Sequence, residues 1–134
     1  MRTTRMLSAA TILALTGCHY GMTAEKLPVA NQPGGAQVTV RTAWNKAYVG
    51  ELIAVQDDGV VISNDRIIRF PFRTIARLTV DKMGDFRLQR VEVPRSEDLA
   101  ALRAVSRFPQ GLTPNIQSQL LAQKSQAEIV VVVQ

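Results

Sequence analysis

Between residues 37 and 82, short runs of alternating apolar and polar residues follow one another with turn-forming residues between them, and this rhythm constrains the fold more than any other feature. In "QVTVRTA", Val38 and Val40 alternate with Gln37, Thr39 and Arg41, a period of two that suits a half-buried strand and not a helix. "KAYVGELIAVQ", "GVVIS", "RIIRFPF" and "TIARLTV" continue the series. The breaks fall at "DDG" and "ND", where Asp58-Gly59 and Asn64-Asp65 are residue types that tolerate the left-handed backbone of tight hairpins. The segment reads as an antiparallel meander. A meander leaves two strand edges unpaired, and closing it into a small barrel hides them.

The run "AYVGELIAVQDDGVVI", with Gly50 inside the second strand, followed by "IIRFPFRTIARLTV", resembles the small five-stranded SH3-like barrels, and among them the Sm-like arrangement. The resemblance implies that Gly50 allows a sharp bend by which one strand serves both halves of the barrel, a simple bulge being the alternative. It also implies a single 3₁₀ turn at "FRTI". Sm proteins bind RNA through an Asp-x-hydrophobic-Met-Asn-like segment and a later Arg-Gly pair, and neither is found in "QDDGVVI" or "IIRFPF". Nucleic acid is therefore not an expected partner, and aromatic residues for base stacking are sparse.

Past residue 82, "DFRLQRVEV" reads as a sixth strand ended by Pro94, which places the barrel at residues 37–93. A helical extension and terminal strand then occupy residues 94–134. Ser96 suits an N-cap for a helix reaching about Arg107, with Glu97 and Asp98 in its first turn and Leu99, Leu102 and Val105 as its apolar face. "FPQGLTP" breaks the helix, and Thr113 with Pro114 opens a second one carrying Ile116, Leu120 and Leu121. "AEIVVVVQ" reads as a continuous apolar strand covered on both faces. The fold class is mainly β with C-terminal helices (β+α).

Residues 1–17 have the parts of a secretion signal. Arg2 and Arg5 precede "MLSAATILALTG", which is too short for a membrane span of about 20 residues. "LTGC", Leu15 to Cys18, resembles the lipobox of bacterial lipoproteins. That resemblance implies cleavage between Gly17 and Cys18, a diacylglycerol on the Cys18 sulfur and acylation of the new amine, palmitate being the kind of chain added. An ordinary signal peptide, with Cys18 a spare thiol or removed, is the alternative. Cys18 is the only cysteine, so its acylation would leave no thiol for redox chemistry or a disulfide. Residues 18–36 then form a lipidated N-terminus and a tether rich in Pro and Gly, spanning on the order of 60 Å when extended and roughly 20 to 25 Å as a coil. His19 after Cys18, where Asp often marks inner-membrane retention in enteric lipoproteins, points by resemblance to the outer membrane, facing the periplasm.

The whole chain carries +5, and loss of Arg2 and Arg5 leaves 14 basic and 11 acidic side chains, +3. This modest excess suits contact with head groups or wall polymers, or an ordinary solvated surface. No catalytic or metal-binding residue is expected and no cofactor. His19 is the sole histidine and lies beside the presumed anchor, which leaves the folded part without a Ser-His-Asp, Cys-His or usual zinc site. Asp57, Asp58 and Asp65 are explained by their turns, and "PGG" is not followed by the Lys and Ser or Thr of a phosphate loop. The basic residues Arg66, Arg69, Arg73, Arg77, Lys82, Arg87 and Arg90 crowd two strands at mixed parity, so they are expected to point in several directions. Trp44 and Tyr48 flank the first hairpin turn, and with Arg69 and Arg73 they are the candidate partner contacts.

These features lead to an expected function: a membrane-anchored cell-envelope lipoprotein, non-catalytic, acting as a binding or assembly module for an envelope protein or wall polymer. The alternative is a peptidoglycan-binding SH3-like module, and a small envelope hydrolase stands third.

Overall fold

In a computed structural model, residues 34–86 and 94–134 are described. Seven strands form one sheet: β1 (Gln37–Thr42), β2 (Ala47–Val55), β3 (Gly59–Ser63), β4 (Ile67–Pro71), β5 (Ile75–Val80), β6 (Gly84–Phe86) and β7 (Val130–Val131). Helices α1 (Ser96–Val105) and α2 (Pro114–Gln123) complete the fold, and a 3₁₀ turn at Phe72–Thr74 joins β4 to β5, where the family resemblance implied one. The strand order is β6-β5-β1-β2-β3-β4-β7. All neighbours are antiparallel except β4 and β7, which run parallel.

The β+α class expected from the sequence is present, and the closed barrel is not. The free edge of β5 is taken by β6 and that of β4 by β7, so added strands cap the meander and β4 and β5 do not pair with each other. This solves the same problem that closure would solve, because an unpaired ladder of backbone groups invites pairing with other chains.

β2 is long because it changes partners. Ala47 to Glu51 pair with β1, and Glu51 to Val55 pair with β3. The handover occurs beside Gly50, where an added Cβ would lie 2.6 Å from the Ser63 carbonyl oxygen. Gly50 thus serves close backbone approach, while the register irregularity falls further on, between Leu52 and Ala54. That irregularity turns Ile53 and Ala54 to the same cluster, whereas Leu52 and Val55 face the opposite one.

Both faces of the central strands are consequently buried. Val38, Val40, Leu52, Ile62, Phe70 and Leu78 form one cluster with Leu99 and Leu102 of α1. Ile53, Val61 and Ile67 form the other with Ile116, Leu120 and Leu121 of α2. After α1 the chain stays on the sheet: the N–H groups of Arg107 and Phe108 donate to the carbonyls of Leu52 and Ile53, each at 2.9 Å. They take the edge of β2 that β1 leaves free beyond Glu51.

Several local expectations are corrected. Ser96 is the first residue of α1, and Arg95 holds the N-cap position without a side-chain cap bond. The side-chain contact at this end is instead between Arg95 and Asp98, with Arg95 Nε donating at 3.1 Å. Thr113 does cap α2, accepting from the Ile116 N–H at 3.2 Å, with Pro114 in the first turn. Neither Asp58-Gly59 nor Asn64-Asp65 uses positive φ, while Asn45 in the first hairpin does, at 67°. Gly59 instead admits the Phe70 carbonyl, 2.5 Å from where a Cβ would stand. β7 is two residues long and exposed, not a strand covered on both faces, because no layer lies over it. The sixth strand is described only through Phe86, and its expected continuation lies outside the described residues.

Candidate functional site: a groove between the first hairpin and β7

The site begins with the turn "TAWNK". The Asn45 N–H donates to the Thr42 carbonyl at 3.0 Å, and the Thr42 hydroxyl donates to the Lys46 carbonyl and accepts from the Lys46 N–H, at 3.1 and 3.0 Å. With Asn45 in the left-handed region, the hairpin closes in so few residues that Trp44 is held at its tip. The Ala43 N–H donates to the Thr74 carbonyl at 2.8 Å, which ties this tip to the 3₁₀ turn and brings Arg73 beside Trp44. Trp44, Arg73, Thr74 and Val133 line a hollow of about 150 Å³.

A longer groove of about 530 Å³ adjoins it, lined by Trp44, Lys46, Tyr48 and the segment Val130 to Val133. Tyr48 is half-buried and meets Phe70 edge-on, ring centroids 4.9 Å apart at 64°, so its ring is fixed by the core. The Lys46 ammonium stands 5.1 Å from the centre of the Tyr48 ring. β7 reaches this position because Gln126 imitates a strand neighbour. Its side chain accepts from the Ile67 N–H at 2.8 Å and donates to the Ile67 carbonyl at 2.9 Å. The Val132 N–H then donates to the Arg69 carbonyl at 2.9 Å. Val130, Val131 and Val133 remain exposed.

Of the four contact residues expected from the sequence, Trp44 and Tyr48 line this groove, and Arg73 lines the adjoining hollow, which shares Trp44 and Val133 with it. Arg69 does not line it. Its guanidinium is paired with Asp58, and that bond, chiefly, holds the Asp58 carboxyl below the usual carboxylate range. The basic residues nearby disperse: Arg77 faces Asp85 at 3.9 Å, while Arg73 is exposed at the groove. Arg87 and Arg90 lie outside the described residues, as do Gly17, Cys18 and His19.

A second hollow, of about 830 Å³, lies beyond the β2–β3 turn between Asp57, Arg103, Pro109 and Leu112. Arg103 bridges it, donating to the Asp57 carboxylate at 2.7 Å and to the Val55 carbonyl at 3.3 Å. Sequence reasoning passed over Arg103, because its partners lie 46 and 48 residues away and leave no local pattern. Among the described residues no three His, Cys, Asp or Glu side chains are placed to hold a metal, and no helix is long and apolar enough to cross a membrane.

The chemistry offered by the first groove is contact chemistry: an aromatic and aliphatic floor, two cations at the rim, and a strand edge alongside. Compared with protein-family models, with curated proteins and with solved structures, the chain matches none.

Proposed function

We propose that this chain is a non-catalytic binding or assembly module of the bacterial cell envelope, anchored in the outer membrane by lipid on Cys18 and facing the periplasm. The "LTGC" motif supports the anchor, and the groove supports the binding role. The observation that carries it is the exposure of Val130, Val131 and Val133 beside Trp44 and Tyr48, since a contiguous apolar surface rimmed by polar groups is the usual mark of an interaction site. The partner is an envelope protein or wall polymer.

A peptidoglycan-binding module is the second reading. It is favoured by the partial order β5-β1-β2-β3-β4 with a 3₁₀ turn between β4 and β5, which supports an SH3-like arrangement inside the larger sheet.

Two experiments test the proposal. A fatty-acid probe should label the wild-type protein in cells and leave Cys18→Ser unlabelled; equal labelling would remove the anchor. A photo-crosslinker at Trp44 should give a discrete adduct, and one at Lys82, in the turn at the opposite end of the β1–β5 ladder, should not. The same adduct from both positions, or none from Trp44, defeats the groove as the contact face. Co-sedimentation with sacculi that persists in salt would favour the second reading.

A further inference from the structure

The edge of β7 supplies what a groove alone does not, an outward backbone N–H and C=O on a strand of fixed direction. β7 ends the sheet, and its inner side is bonded to β4 through the Val132 N–H. Successive residues of a strand in a parallel pair aim their N–H and C=O groups to opposite sides, so Val131 turns both of its groups outward. Val131 is 44% exposed, and Lys46 and Arg73 are the charged side chains lining the adjoining hollows. No Asp or Glu side chain lines them, and Gln134 completes the lining of both. An occupant must therefore satisfy an amide edge, cover valines and tolerate two cations.

Resting on the groove as the contact face, we infer that the partner docks an extended segment of alternating apolar and acidic residues, which adds to the sheet as a further strand along β7. Main-chain bonds to Val131 give the segment its register. Its apolar side chains cover Val131, Val133 and Trp44, and its carboxylates face Lys46 and Arg73. A second copy of this chain fits less well, because pairing β7 with β7 would bring two sets of Lys46 and Arg73 together with no Asp or Glu among the lining residues.

The lone tryptophan makes the test direct, since emission excited selectively at the red edge, where the two tyrosines do not absorb, reports Trp44 alone. The full chain, purified in detergent, is titrated with an octapeptide of alternating Val and Glu, acetylated and amidated. A saturable change in emission is expected. The same peptide with Lys for Glu should bind at least about tenfold more weakly, and N-methylation of alternate amides along one edge should abolish binding. Val131→Pro removes the outward N–H and should weaken binding by about tenfold or more. Should that variant melt early, the double change Lys46→Glu and Arg73→Glu at exposed positions decides, and it should reverse the preference between the two peptides. No saturation by the Val and Glu peptide, equal binding of the Lys peptide, or undiminished binding after N-methylation would overturn the inference. So would displacement of the peptide by soluble wall fragments, or sedimentation showing a dimer that Val131→Pro dissolves. Failure here leaves lipid labelling of Cys18 untouched, and loss of that labelling would leave peptide binding intact.

Discussion

β3 and the stretch that contains β7 are written in nearly the same alphabet, "GVVIS" against "IVVVV", and they meet opposite fates. Val60, Val61 and Ile62 are fully buried, with β2 and β4 on their two edges, one cluster beneath and α2 above. Val131 and Val133 are 44% and 67% exposed, with β4 on one edge of β7 and, among the described residues, no strand on the other. A run of valines specifies a strand, through χ1 preferences and packing on a pleated surface, but not the number of layers that will cover it. Coverage depends on where separate helices land. α1 and α2 land on the two faces of the central strands, and both residues of β7 are left exposed.

The largest expected effect separates these regions by stability. Phe70→Ala, in β4 and fully buried, should cost about 3–5 kcal/mol, whereas Val131→Ala should stay within about 0.5 kcal/mol. Chemical denaturation of both variants measures the gap, and comparable losses would break the comparison. Gly50→Val comes next, because its side chain would enter the space of the Ser63 carbonyl at the handover from β1 to β3. A loss on the order of 1–3 kcal/mol is expected in the thermal melt, and an unchanged midpoint would mean that β2 and β3 separate there without cost.

Thr113→Ala sharpens the comparison at smaller scale. It removes the cap of α2 and should cost about 1 kcal/mol. Because α2 is the outer cover of Val61, amide exchange at β3 should quicken while exchange at β1 is little altered, which moves β3 part of the way toward the condition of β7. The smallest effect sits at Arg69, whose carbonyl holds Val132 and whose side chain is paired with Asp58. Since the Asp58 carboxyl is depressed below its unfolded value, the pair stabilises above the ordinary carboxylate range and its contribution fades as pH falls through the depressed value. Asp58 is 69% exposed, so solvent limits the contribution to about 0–1 kcal/mol. Asp58→Asn should flatten the acid limb of the stability profile by no more than that. A larger change would mean that Arg69 braces β7 as well as the turn.

Much of the site was legible in pieces. Trp44, Tyr48 and Arg73 stand out as a tryptophan and tyrosine around a hairpin turn and a cation after a strand, and the structure places them at two adjoining hollows that share Trp44. Arg69 looks the same in the sequence and is drawn away by Asp58, 11 residues earlier, across the β3–β4 hairpin. The fourth wall, Val130 to Val133, was visible as a strand, but its exposure was not.

The sequence by itself determined the meander from Gln37 to Val80, the Thr113 cap and the apolar faces of both helices, because periodicity, turn residues and caps act over a few residues, while the 3₁₀ turn before β5 was implied only by the family resemblance. Only the tertiary structure decided that the sheet ends in β6 and β7 rather than closing, and that Gly50 and Gly59 yield space to carbonyls of other strands. It alone also left one valine strand outside the core. Each of these outcomes depends on contacts between residues far apart in the chain, and no local pattern encodes which distant surface will arrive.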